Sequence, residues 1–294
     1  MRDCALAAPG RSGLIAHGQF TRRLSDFLQV DPAWTRQKLV KPLLTDDEES
    51  VVLWRAVASA RIDSKALEII GDEAARKILD ARLGKDAHKD LVSRLVLEGL
   101  EAFKDRREPS VSQARISQTL RAAGNEIREW AALEVRQFQE FAFKEGQEPR
   151  ALGNSFRSNI KPFLEHVWPQ ERSLATGGVS HHLACIPSVS GDAFAEAVHE
   201  IERFLNPFDC SSLLAYGFLE DHMSKDFGIP RLSDVIDDSQ KACAFLRLLH
   251  LTVGYSDTAV VPNDLGAALD RIEFLAPKLT SDPAFRRLAA AARR

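Results

Sequence analysis

The stretch Ser112–Lys144, SQARISQTLRAAGNEIREWAALEVRQFQEFAFK, decides the fold class. Ile116, Leu120, Ala123, Ile127 and Trp130 follow one another at spacings of four, three, four and three residues, and Phe138 and Phe141 continue the apolar series. Side chains three and four apart share one face of a helix, so the pattern predicts helix with an apolar stripe. Gly124-Asn125 and the polar Glu134 interrupt the register. They predict a bend, or two helices packed on neighbours, and not a free-standing coiled coil.

Outward from this stretch the same period recurs, bounded by Asp, Ser, Thr or Pro at the starts and Gly or Pro at the ends. Towards the N-terminus, Gln19–Leu28 places Phe20, Leu24, Phe27 and Leu28 on one face, and Asp31-Pro32 reads as N-cap and first residue of a short turn carrying Trp34. Thr45-Asp46-Asp47-Glu48 opens a helix with Val51, Val52, Trp54 and Ala58, and Trp54 is expected in the core. Leu67–Ile70 ended by Gly71, Asp72–Leu83 ended by Gly84, and Asp86–Phe103 read as three further helices. Towards the C-terminus the expected helices are Ser155–Val167, Val179–Val189, Asp192–Leu205, Ser211–Met223, Leu232–Ile236, Ser239–Leu251, Asn263–Leu275 and Asp282–Ala292. Thr258–Val261 is about the only β-branched run, so the expected fold is all-α: an irregular HEAT-like helical-repeat solenoid or an elongated helical bundle. Helix pairs would recur every ~35–45 residues, although no unit aligns literally on another. Phe156, Phe163, Trp168, Phe194, Phe204, Phe208 and Phe218 are expected to share the core.

The expected organisation is a loose lead-in over residues 1–13, an N-terminal helical subdomain over 14–145, a hinge at 146–153 marked by Gly146, Pro149 and Gly153, and a C-terminal helical-repeat subdomain over 154–294. With 45% hydrophobic and 28% charged residues in 294, the chain has the composition of a folded protein. Its 39 Lys plus Arg against 42 Asp plus Glu give a net charge of -3, which removes the strongly basic surface of a dedicated nucleic-acid binder. No apolar run approaches a membrane span; Ala242–Val253 is broken by Arg247 and His250. Cys4, Cys185, Cys210 and Cys243 show no paired spacing, and the N-terminus lacks the apolar region of a secretory signal, so a reducing cytoplasm is expected.

The chemistry-bearing motifs are sparse. His181-His182-x-x-Cys185 is the most ligand-like arrangement, since His182 and Cys185 stand three apart on an expected helix. Zinc needs three or four ligands, which His166, His199, Cys210 or His222 would have to complete. Ordinary helix residues are the expected reading, with no metal and no cofactor. Phosphate-loop, dinucleotide and nucleophile-elbow motifs are absent, and Gly177-Gly178 reads as a turn. The acidic runs Asp46-Asp47-Glu48-Glu49, Glu220-Asp221 and Asp237-Asp238 sit at helix ends, where they suit the dipole better than acid–base chemistry. The doublets Arg22-Arg23, Arg106-Arg107, Arg286-Arg287 and Arg293-Arg294 read as solvated helix surface unless the fold gathers them into one groove.

Two segments carry a family resemblance. Asp31-Pro32-Ala33-Trp34-Thr35, followed by Leu43-Leu44, by Glu48-Glu49-Ser50-Val51-Val52-Leu53-Trp54 and by Ser59-Ala60-Arg61, resembles the C-terminal helical region of sirtuin-like bacterial antiphage defence proteins. So does Ile160-Lys161-Pro162-Phe163-Leu164-Glu165-His166-Val167-Trp168-Pro169-Gln170. In that family an N-terminal sirtuin-like domain degrades NAD when infection is sensed, and the helical region is expected to recognise a trigger or organise the oligomer. This chain has no glycine-rich NAD-binding pattern, so the resemblance carries no catalytic residue over to it. It implies a bacterial, cytoplasmic, non-catalytic interaction module with a protein partner: an effector domain, a trigger protein or a second copy. The loose first residues then suggest a chain beginning near a domain junction, as a truncated gene, a split system or a fragment. A nucleic-acid-binding helical repeat is the alternative, and a hydrolase or nuclease with a site assembled only in the fold the second.

Overall fold

The computed structural model describes residues 2–219, 229–256 and 258–293. Its helices are α1 (Arg2–Leu6), α2 (Arg11–Thr21), α3 (Leu24–Val30), α4 (Pro32–Thr35), α5 (Lys41–Leu43), α6 (Glu48–Ala58), α7 (Ser64–Lys77), α8 (Lys85–Asp105), α9 (Gln113–Ala122) and α10 (Asn125–Lys144). There follow α11 (Pro149–Ser155), α12 (Lys161–His166), α13 (Gly177–Leu183), α14 (Phe194–Ile201), α15 (Leu232–Val235), α16 (Ser239–Thr252), α17 (Leu265–Leu275) and α18 (Pro283–Ala291). Among the described residues there is no strand, and the single β-bridge joins Leu219 to Arg231. The fold is all-α. Helix lengths run from 3 to 21 residues, so no regular repeating unit stands out.

Aspartate caps set many of the starts. Asp31, Asp47, Asp63, Asp238 and Asp282 each accept a backbone N–H from the first turn, as Ser112 and Thr176 do through their hydroxyls. Each satisfies a donor that the helix itself leaves unpaired, worth about 1 kcal/mol. The cap of α6 is Asp47, whose side chain stands 2.7 Å from the Ser50 nitrogen; Thr45 bonds back to the Pro42 carbonyl.

One device occurs twice. Arg36–Val40 and Phe156–Ile160 are single π-helical turns, and each leads into a Lys-Pro pair, Lys41-Pro42 and Lys161-Pro162. Proline has no N–H and its ring crowds the carbonyl four residues back, so the ladder opens by one residue. Lys41 and Lys161 accordingly donate to the carbonyls of Arg36 and Phe156, five residues back. The Lys38 carbonyl, released by Pro42, accepts from His17 Nε2 at 2.6 Å.

Contacts divide the chain into two units, residues 1–131 and 132–294, with the division inside α10. The expected hinge at 146–153 is not where the chain divides. Gly146 ends α10 with a positive φ, Pro149 opens α11, and Gly153 lies buried inside α11 where a Cβ would strike the Asp192 carboxylate. Its lack of a side chain serves close packing. The expected lead-in is also corrected: α1 is pinned by Arg2, 3.0 Å from Asp31, and by Asp3, which accepts from the Trp34 indole at 2.8 Å. These partners lie about thirty positions away in sequence, beyond the reach of a local pattern. Gly71 does not end a helix either. It sits within α7 against the Val111 side chain, where any Cβ would collide. The long periodic stretch does break as expected, α9 ending at Ala122 and α10 starting at Asn125.

In the first unit Trp54, Leu39, Leu43, Val57, Ile70, Val92 and Ile116 form a core from which water is excluded. In the second, Phe194, Phe218 and Phe245 meet with ring centroids 5.3–6.4 Å apart, and Phe156 and Phe163 are fully buried. The Lys77 side chain is only 1% exposed, and its Nζ lies 3.2 Å from Asp46 and 3.6 Å from Asp80. Arg82 bonds the same two carboxylates at 2.7 and 2.8 Å. The Arg82 guanidinium, against a smaller opposing cost of burial, holds the Asp80 carboxyl down at about 2, below its usual 3.8. A carboxyl depressed in the folded state contributes stability that is complete above its unfolded pKa and is lost as pH falls through the folded one. The wild type is therefore expected to lose stability between about pH 4 and pH 2 more steeply than Asp80→Asn. Parallel curves in urea titrations across that window would refute the assignment.

Candidate binding sites

The surroundings of His181, His182 and Cys185 bear on the metal reading. All three belong to α13 or the turn after it. Burial, then the neighbouring His181 and Arg136, push the His182 imidazole down to about 4, so it is neutral at physiological pH. Burial pushes the Cys185 thiol up to about 12, and its sulfur lies 3.1 Å from the Ala215 carbonyl and 3.4 Å from that of His181. Thiolate is the metal-binding form, and this sulfur is a protonated donor. His166 and His199 are exposed elsewhere, Cys210 is buried with its sulfur 3.9 Å from the Tyr216 hydroxyl, and His222 lies outside the described residues. Among the described residues no three His, Cys, Asp or Glu side chains gather around one point.

Gly177-Gly178 opens α13, with Thr176 as cap, and borders an open hollow shared with Phe208 and Ser211. The acidic runs serve structure. Asp46 ties Lys77 and Arg82, Asp47 caps α6, Asp237 pairs with Lys241 at 2.8 Å and Asp238 caps α16; Glu220-Asp221 lies outside the described residues. Arg287 donates to the carbonyls of His250, Val253 and Gly254. Arg286 and Arg293 border a small hollow by α18, and Arg294 is outside the described residues.

The Arg22-Arg23 doublet and Arg107 of the Arg106-Arg107 doublet meet. A basin of about 700 Å3 in the first unit lies between α3, the segment before α7, and α8. Arg22 and Arg23, from the turn between α2 and α3, share its wall with Arg61, Arg94 and Arg107. Its floor is fixed by Glu98, 3% exposed, which accepts two bonds from Arg107 at 2.6 and 3.0 Å and one from the Ser110 N–H at 2.7 Å. Burial pushes the Glu98 carboxyl up, but these donors outweigh it and hold it below the usual range. Arg94 spends one donor on the Ala60 carbonyl. Arg22, Arg23 and Arg61 have no ion-pair or hydrogen-bond partner for their side chains among the described residues. Asp26, Asp63, Glu98, Glu101 and Asp105 stand among the five arginines, so the basin has both signs in equal number. An extended phosphodiester backbone would meet as much repulsion as attraction there.

The second unit holds a cleft of about 530 Å3 that no sequence signal announced. Phe143 from the end of α10, Pro149 and Leu152 from α11, and Ile229, Pro230 and Val235 near α15 make its walls mostly apolar. Carboxylates rim it: Asp192, 3.1 Å from Arg157, with Asp234 and Asp237. Arg231 and Lys241 are the bases on the same rim. The contributing stretches 143–152, 188–192 and 229–241 are separated by tens of residues and share no motif.

No protein-family model, curated protein or solved structure matches this chain.

Proposed function

We propose that the protein is a non-catalytic helical interaction module that holds a protein partner in the cleft of the second unit. The observation that carries this reading is the cleft's anatomy, an apolar floor of Phe143, Leu152, Ile229 and Val235 inside a charged rim. Protein interfaces have this arrangement of an apolar centre and a polar border. The rim carries both signs, with Asp192, Asp234 and Asp237 beside Arg231 and Lys241, and an amphipathic helix supplies an apolar ridge with charged flanks to match. The mixed signs of the first unit's basin weigh against the nucleic-acid alternative. In this proposal the module serves as the sensor or scaffold of an antiphage system, a reading supported by the resemblance of the two Trp-bearing segments; no helix among the described residues is long and apolar enough to cross a membrane.

The test is quantitative pull-down from phage-infected bacteria with the wild type and Val235→Asp, whose added charge sits on the apolar wall. Tenfold or greater loss of one specific co-purifying protein, of the order expected for a central interface residue, with an unchanged circular dichroism spectrum, is the expected outcome. Identical captured proteins overturn the cleft as the docking site. Robust NAD hydrolysis by the purified chain overturns the non-catalytic reading.

A further inference from the structure

The geometry points to a second site, independent of the cleft: the basin of the first unit binds a small ligand carrying both a phosphate and free hydroxyls, a nucleoside monophosphate or a sugar phosphate. Three observations converge. The first is unused cationic capacity. Arg22, Arg23 and Arg61 line a concavity of about 700 Å3 with their guanidinium groups uncommitted among the described residues. Guanidinium forks match phosphate oxygens in pairs, and ligand pockets run about 300–1,000 Å3.

The second is the presence of acceptors beside those donors. Asp26 and Glu101 line the same basin without a hydrogen bond of their own among the described residues. A carboxylate repels a bare phosphate but accepts bonds from vicinal hydroxyls, the way ribose is held at dinucleotide sites. A site with both signs therefore suits a ligand that has phosphate at one end and hydroxyls at the other. The third is rigidity. Glu98 accepts from Arg107 and from the Ser110 N–H, so the floor stays set and its charges cancel locally. A set floor spares the ligand the cost of ordering that part of the site.

The full chain would be titrated with AMP, glucose 6-phosphate, inorganic phosphate and adenosine, reading the melting temperature and calorimetric heat. At roughly 10 mM, AMP or glucose 6-phosphate is expected to raise the melting temperature by about 3 °C or more, with inorganic phosphate and adenosine giving much less. Which of the two binds identifies the source of the phosphate. The double variant Arg22→Gln/Arg61→Gln is expected to weaken binding at least ~10-fold, and Asp26→Asn to weaken AMP or sugar phosphate while leaving weak inorganic phosphate binding unchanged. All replaced side chains are exposed and, the place of Asp26 at the start of α3 aside, have no hydrogen-bond partner among the described residues, so the unliganded melting temperature should stay within about 1 °C, as for ordinary surface changes. The proposal is overturned by the absence of any shift, by equal shifts with inorganic phosphate, or by shifts that survive the arginine variant.

Discussion

Replacing Trp54 by Ala is expected to lower the unfolding free energy by about 3–5 kcal/mol. The indole is fully excluded from solvent in α6, at the centre of the first unit's core. Truncation removes more than apolar area. The indole N–H donates to the Leu43 carbonyl at 2.9 Å, and the Ser50 hydroxyl reaches the same oxygen at 3.2 Å. Trp54 thus ties α5 to α6 just after the first π turn, and its loss leaves both a cavity and a weakened bond in one place. Urea unfolding followed by far-ultraviolet circular dichroism reads the effect as a lower midpoint. Trp54→Phe, which refills most of the volume but lacks the donor, should fall between the wild type and Trp54→Ala. A wild-type midpoint for Trp54→Ala would refute the placement.

Gly191→Ala is expected to cost about 2–4 kcal/mol, because backbone strain and overpacking act at one atom. Gly191 has φ +55, in the region that L residues with side chains rarely enter, and a Cβ there would overlap the Pro149 carbonyl at the start of α11. Neither side can yield easily. Pro149 fixes the first turn of α11, while Gly191 begins the turn that leads into α14. Gly146 separates the two contributions. It has a similar φ of +73 but open space around it, so Gly146→Ala carries the conformational cost alone, about 1 kcal/mol. If both substitutions destabilise equally, the contact with Pro149 is not what constrains Gly191.

Much of the architecture was legible because it is set locally. A stripe at spacings of three and four and an Asp at a helix start act within a few residues, and these signals located α6, α8, α10, α14, α16, α17 and α18 to within a few positions. The errors have a common origin in distant contacts. Gly71 and Gly153 look like helix punctuation until Val111 and Asp192 are seen against them. Residues 2–6 look loose until Trp34 and Asp31 are seen to hold Asp3 and Arg2. Both helix ends and close packing select glycine, and sequence spacing alone does not tell them apart.

The binding surfaces divide along the same line. The sequence by itself determined that the chain is helical, that Trp54, Phe156, Phe163, Phe194 and Phe218 are interior, and that its charge is nearly balanced, since period, capping chemistry and composition are properties of neighbours or of totals; Phe141, which continues the apolar series of Ser112–Lys144, is exposed. Only the tertiary structure decided which charges meet. It brought Arg22-Arg23, Arg61, Arg94 and Arg107 to one basin and assembled an apolar cleft from α10, α11 and the residues around α15. It also set the Cys185 sulfur against the carbonyls of His181 and Ala215 and buried His182 near Arg136. The physical reason is that protonation state, ion pairing and concavity depend on what stands a few ångströms away in space, and in a helical chain those neighbours come from turns tens of residues apart.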